Sequence, residues 1–229
     1  PYCQYSQKRY AGIIYMSPDD VGKVKAAGMK SVKGDTIGFV KRVEQHILEV
    51  MLRTRSHTEA KRYLVDELTK FVQSDVDPNE MTISTKMSKE IDMYPTSNQL
   101  ASVARDMRRR NPGLAPRAGD KVTFVHCLDT KNGNKAKTID IDYYKQNTAR
   151  FQINRLHYLD KLIALNLGRL FDLPSIAHDP YQWFEPFRRA LLRQNTGGGI
   201  AQYLEAPTER RKDDPFPLSL FKDTPYRLE

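Results

Sequence analysis

Gln7, Lys8, Arg9 and Tyr10 stand side by side at the head of an apolar run, Ile13-Ile14-Tyr15. A cation held at the minor groove of a duplex can donate to purine N3 and pyrimidine O2, acceptors that every correct base pair presents at similar positions. Contacts of that kind tolerate any sequence and weaken at a mispair. The phenol of Tyr10 can hydrogen-bond a strand phosphate or lie under the strand. The same residues also suit a solvated strand end, and the residues alone leave both readings open.

Further along, "STKMSKE" gathers Thr85, Lys86, Ser88 and Lys89 around the end of an extended segment. Hydroxyls and amines in one turn suit phosphate oxygens, which position a duplex without reading it. The block "RDMRRRNPGLAPR" adds Arg105, Arg108, Arg109, Arg110 and Arg117, and on a helix some of these must face away from any one partner. Tyr94 fits either a core or an interface. Lys33 suits a backbone phosphate, whereas its neighbour Asp35 suits a helix cap. Lys131, Lys135 and Lys137 make a basic loop tip. Asp140 and Asp142 are two apart and the five histidines are scattered, so no metal-ligand spacing, nucleophile elbow or phosphate-binding glycine loop emerges. Asp19-Asp20 reads as a turn pair.

Composition points the same way. In 229 residues, 37 Lys and Arg stand against 28 Asp and Glu, a net charge of +9 that favours a polyanionic partner. The 39% hydrophobic content is that of a globular chain with a real core. Cys3 and Cys127 form neither a disulfide framework nor a zinc site, which favours a reducing, intracellular setting, cytoplasm or nucleus alike. No run of about 18 apolar residues exists to span a bilayer. The opening "PYCQYSQKR" lacks a signal-peptide pattern, and its abrupt entry into strand suggests a piece of a longer polypeptide.

The elements that must position these residues follow from periodicity. A strand is expected over 9–16, a turn at "SPDDVGK", and a short extended segment from Met29 to Lys33. Asp35 or Thr36 is placed to cap a helix carrying Ile37, Val40, Val43, Ile47 and Val50. Ser56 and Glu59 have capping-box spacing ahead of Ala60, Leu64, Leu68 and Phe71. Strands are expected at "EMTISTKMS" and "GDKVTFVHCLD", the latter followed by a loop at Asn132-Gly133. Helices are expected over Gln99–Arg110, over Ile141–Leu173 with a break near Asn154, and over Trp183–Gln194. A Gly197-Gly198-Gly199 joint leads into a charged, proline-rich tail.

Taken in order, these segments resemble a known family. "PYCQYSQKRYAGIIYM" is similar to the Lys-Lys-Arg-Tyr segment of family B DNA polymerases, a palm strand that meets the primer end. "AGMKSVKGDT" resembles the family's next signature, Lys-Gly followed by Arg-Arg-Asp. "MTISTKMSKEIDMYP", "SNQLASVARDMRRRNPGLAPRAGDKVTFV" and "IDIDYY" resemble successive parts of its thumb. Here Gln7 replaces the first Lys, Ala27 the Lys of the Lys-Gly pair, and Lys33 and Gly34 the two arginines; Lys8, Arg9, Tyr10, Gly28 and Asp35 are kept. The family's metal-binding aspartates lie in segments upstream of this strand, and neither segment occurs here.

The resemblance implies an α+β fold: short palm β-strands, then a mostly helical thumb with a small β-hairpin. It divides the chain into a palm remnant (1–35), a thumb (36–174), and a C-terminal helix with an extended tail (175–229). It implies the palm-end and thumb portion of a DNA-directed DNA polymerase, a nucleotidyltransferase of DNA replication, gripping primer–template DNA while another chain or segment supplies exonuclease, fingers and catalytic palm. Two Mg2+ ions would act on that other part, and this portion alone would be inactive. The residues expected to contact DNA are Gln7, Lys8, Arg9, Tyr10, Lys33, Thr85, Lys86, Ser88, Lys89, Tyr94, Arg108 and Arg117. "PLSLF" resembles a sliding-clamp peptide, with Leu218, Leu220 and Phe221 as anchors, or packs its apolar residues on its own domain. The competing function is a non-catalytic duplex-binding or processivity factor. Against it stands the expectation that the opening strand's apolar side would lack a sheet partner.

Overall fold

The computed structural model describes residues 2–6, 8–17, 19–30, 33–73, 76–171 and 180–195. Gln7 and the proposed anchors Leu218, Leu220 and Phe221 lie outside the described residues.

The first sheet is antiparallel in the order β1 (Tyr2–Ser6), β2 (Arg9–Ile14), β3 (Lys23–Ala27). Alternation decides its faces: Ala11 and Ile13 are buried, while Tyr10 and Ile14 are exposed. The buried side rests on the long helix that follows, in one core with it. Two expectations are corrected here. The strand near Met29 lies earlier, at Lys23–Ala27, because Gly22 (φ 76°) and Gly28 (φ 65°) take left-handed turns on either side of it. The strand expected over 9–16 has partners on both edges within this chain, and its apolar side is covered, so the argument it offered against an independent factor falls.

Helix α1 (Gly38–Thr54) buries Phe39, Val40, Val43, Ile47, Leu48, Met51 and Leu52 along one stripe. Neither Asp35 nor Thr36 caps it. The N-cap is Ile37, without a side-chain cap bond, because the backbone of a distant loop does the work: Phe39 N–H donates to the Glu80 carbonyl at 3.1 Å. Helix α2 (His57–Gln73) starts as its spacing predicts, with Ser56 Oγ accepting from Glu59 N–H at 3.1 Å. Arg42 on α1 binds both Glu67 on α2, at 2.6 Å, and Glu80, at 2.9 Å, tying the helix pair to that same loop.

The second sheet centres on β5 (Lys121–Asp129), paired on one edge with β6 (Lys135–Asp140) and otherwise with β4 (Ile83–Lys86) and β7 (Phe151–Ile153). Helix α3 (Gln99–Arg110) lays Val103 and Ala104 on Val122 and Phe124. Val125, Cys127, Ile139, Tyr144 and Phe151 form a separate core on the other face. The helical stretch expected from Ile141, with a break near Asn154, already breaks after Gln146, and it resumes with Asn154 as the cap. Helix α4 (Ile141–Gln146) is short, and β7 intervenes because Arg150 clasps Asp129 at 2.7 Å while Thr130 N–H donates to the Arg150 carbonyl. The helix resumes as α5 (Arg155–Tyr158), passes through a π turn (Leu159–Ile163) and continues as α6 (Ala164–Phe171). Helix α7 (Glu185–Asn195) joins α1, α2 and α6 in the main core.

Tyr158 links the two sheets' surroundings. Fully buried, its hydroxyl donates to the Met81 carbonyl at 2.7 Å and accepts from His126 N–H at 2.9 Å. The fold is α+β, with two small antiparallel sheets and a helical body. Among the described residues, no helix is long and apolar enough to cross a membrane.

Candidate nucleic-acid interface

Two regions gather the expected residues. At the first sheet, Lys8 is exposed in the turn between β1 and β2, Arg9 is half-buried, and Tyr10 is 40% exposed on the outward side. The turn is set by a close approach: a Cβ on Gly28 would lie 1.9 Å from the Lys8 carbonyl oxygen, in a backbone conformation that disfavours side chains. Glycine at 28 therefore places Lys8. Lys33 is exposed beyond that glycine, its N–H donating to the Lys30 carbonyl.

The second region is the end of the second sheet. Register sets Lys86 directly opposite Lys121 and, two residues along the same face, Ser84 opposite Thr123. The Ser84 and Thr123 hydroxyls are 2.7 Å apart. Thr85 alternates to the other face, opposite buried Val122, so it does not share a surface with Lys86. The chain then turns at Met87, whose N–H and carbonyl bond Asp120 O and Gly119 N, each at 2.8 Å. That pairing sets Lys89 and exposed Arg117 in the turns flanking the two lysines.

Tyr94 holds this turn. Its hydroxyl oxygen accepts the N–H of Ser88 at 2.8 Å and of Lys89 at 3.2 Å, and lies 3.1 Å from Ser88 Oγ. Those bonds, the Ser88 hydroxyl foremost, pull the phenol below its ordinary pKa. The nearby carboxylates are turned onto backbone: Glu90 accepts from Ala118 N–H and Asp120 from Arg117 N–H. Among the described residues, no ion pair involves the side chain of Lys86, Lys89, Arg117 or Lys121. Lys86 and Lys121, paired in register, and Lys89 and Arg117 in the adjoining turns thus sit at one sheet end outside the ion pairs of the described residues, a surface suited to phosphate.

The arginine block behaves differently. Arg108 grips Asp92 through two bonds of 2.8 and 2.9 Å, which raises its own pKa and lowers that of the carboxyl. Arg105 donates to the Tyr94 carbonyl at 2.7 Å, Arg109 pairs with Asp106, and Arg110 pairs with Asp140 while lying 4.0 Å over the Tyr143 ring. The most conspicuous basic motif in the sequence is engaged within the chain. Arg110, Lys137, Ile139 and Tyr143 line a shallow hollow of about 170 Å3 between α3 and β6.

Sequence reasoning missed Lys121 and Ser84. Nothing in "GDKV" marks its lysine; only the β4–β5 register does. It also missed the task of Tyr94, since the six residues from Ser88 carry no pattern that announces a hydroxyl returning to two amides. Among the described residues, no group of three or more His, Cys, Asp or Glu is placed to hold a metal ion.

Comparison with known proteins bears on this geometry. A family model described as DNA polymerase family B matches residues 2–173. The chain is 29% identical over 171 residues to the DNA polymerase delta catalytic subunit of Candida albicans, covering 75% of this chain and 16% of that protein. It is 28% identical over 206 residues to the subunit of the same name from Caenorhabditis elegans, covering 89% of this chain and 19% of that protein. For the Drosophila melanogaster subunit the figures are 27% over 211 residues, 91% and 19%. The chain spans less than a fifth of the length of these relatives.

Proposed function

The chain belongs to DNA polymerase family B, and from that membership we propose that it is the palm-end and thumb portion of a DNA-directed DNA polymerase. In this reading residues 1–35 finish the palm, 36–174 form the thumb, and 175–229 carry a further helix and a tail with a clamp-binding segment at Leu218, Leu220 and Phe221. Its task is to hold primer–template duplex during nucleotide addition.

The observation that carries the reading is the Lys86–Lys121 pair. Like charges directly opposite on an antiparallel ladder destabilise it, and a phosphate between them turns that cost into attraction. Lys89 and Arg117 extend the contact along the strand, and the Tyr94 hydroxyl keeps the Ser88–Lys89 backbone in place beneath them. At the first sheet, Lys8 and Tyr10 are exposed at and beside a turn fixed by Gly28, which supports a primer-end contact in this reading. None of these groups reads base identity through the major groove, so binding tolerates sequence and falls with salt.

Family B polymerases use divalent metal ions, which clamp attacking and leaving oxygens when bound. In this reading Mg2+ belongs to the companion part that carries the catalytic carboxylates, fingers and exonuclease, as the family resemblance implies. This chain contributes grip, not chemistry.

Mass analysis of the native assembly, coupled to primer extension, tests the reading. Co-purification with a larger polypeptide, and extension that needs both, supports it. A chain that is monomeric, stable and duplex-binding, and that no companion activates, belongs instead to a separate binding factor.

A further inference from the structure

We propose that the outer edge of β6 is a docking strip for an acidic, extended segment of a protein partner, which adds to the second sheet as a further strand. Among the described residues β6 pairs with β5 alone, so its other edge has no strand. Alternate residues of such an edge turn their N–H and C=O groups outward, a template for another chain. The hollow beside α3 lies along this edge. One wall is Asp106, Arg109 and Arg110 of α3, the helix whose Val103 and Ala104 cluster with Val122 and Phe124. The other includes Lys137 and Ile139, which register pairs with Cys127 and Val125 and so sets on the opposite side of the sheet. A hollow lined from both sides of a sheet opens past the strand's edge, where an added strand runs.

Charge names the occupant. Lys131, Lys135 and Lys137 are exposed at and beside this edge, and among the described residues none of the three is in an ion pair. Across the hollow, the Arg109 side chain is 79% exposed and reaches Asp106 only at 3.4 Å. Lys135 and Lys137 stand two residues apart on one side of β6, so carboxylates two residues apart on an added strand come level with both. A second copy of this chain would set lysines against lysines. A nucleic acid offers no ladder of N–H and C=O groups to the edge, and the Asp106 carboxylate stands in the same wall. An acidic peptide answers both the open backbone and the unpaired lysines: main-chain bonds supply the grip, and its carboxylates the choice of partner.

The strip stands apart from the duplex grip: Lys135 pairs with Asp129 at the far end of β5, about 27 Å along the strand from Lys121. Fluorescence anisotropy of the full chain with a labelled peptide of alternating Glu and Thr, about ten residues long, tests the proposal. One control replaces every Glu by Gln. The other keeps the sequence but is N-methylated at two adjacent central amides, one of which faces β6 whichever edge the peptide presents. The parent is expected to bind the Glu–Thr peptide, and each control about tenfold more weakly. Lys135→Gln with Lys137→Gln is expected to weaken the Glu–Thr peptide about tenfold while melting like the parent, and Lys86→Gln with Lys121→Gln to leave its binding unchanged. Hydrogen exchange across Lys135–Thr138 should slow when the peptide binds. The proposal is overturned if the parent ignores the peptide, if the Lys135 and Lys137 variant binds it unchanged, or if the N-methylated peptide binds equally well, since charge alone would then hold it. It also fails if a blunt hairpin duplex displaces the peptide from the Lys86 and Lys121 variant, which would make the strip a phosphate surface. Self-association of the Lys135 and Lys137 variant, with no peptide binding by the parent, would mean that those lysines only guard the edge.

Discussion

Lys86 and Lys121 are directly paired residues of β4 and β5, both exposed on one side of the sheet and, among the described residues, in no ion pair. Such a pair costs stability in the free protein. Lys121→Glu replaces repulsion by attraction and is expected to raise stability by about 0.5–1 kcal/mol while weakening duplex binding. A thermal melt, set beside a binding isotherm, checks that the two quantities move in opposite directions.

Tyr94 acts on the same turn through one oxygen. Tyr94→Phe keeps the ring against Met87, Ile91 and their neighbours but removes the acceptor for the Ser88 and Lys89 amides. Hydrogen exchange at those two amides is expected to quicken about tenfold, with the melting temperature nearly unchanged. Duplex affinity should fall a few-fold, because Lys89 loses its anchorage.

Gly28 governs the other region. Gly28→Ala forces a methyl group to within 1.9 Å of the Lys8 carbonyl and strains a left-handed residue, so the β1–β2 turn must move. The expected cost is about 1–3 kcal/mol, read in a denaturant melt. A Gly34→Ala control meets nothing within 4 Å and should be close to neutral.

Acid should loosen the seam between β5 and α5. His126 is buried, its Nδ1 lies 2.9 Å from Thr138 Oγ1, and its ring centroid is 4.3 Å from that of His157. Burial first, then repulsion from His157, pushes His126 down to about 4; burial and Lys161 lower His157 as well. Both folded values lie below the unfolded value of about 6.5, so the unfolded chain binds more protons in between. The stabilisation is complete above about pH 6.5 and is lost as pH falls toward 4. Melts at pH 7 and 5 should differ by about 1–2 kcal/mol, and His126→Gln should flatten the difference.

Much of the fold was legible because its signals are local. The stripe of Val40, Val43 and Ile47, the Ser56–Glu59 cap and the Asn132-Gly133 turn each lie within a few residues. What escaped was set by distant backbone. The start of α1 is held by Glu80, and β7 is pinned by the Arg150–Asp129 clasp across the sheet. The candidate site divides the same way. Lys86 and Lys89 were visible as cations in a turn, whereas Lys121 became a partner only through strand register, and the internal partners of Arg108, Arg109 and Arg110 came from tertiary pairing.

The most direct test of the central claim is the salt dependence of duplex binding by the parent chain and by the Lys86→Gln, Lys121→Gln double variant. If both lysines meet phosphates, the slope of log K against log salt should shrink in magnitude by about 1.8. Affinity should fall by a similar factor for unrelated duplex sequences. An unchanged slope would mean that no phosphate lies between those lysines, and the second sheet's end would not be the grip on DNA.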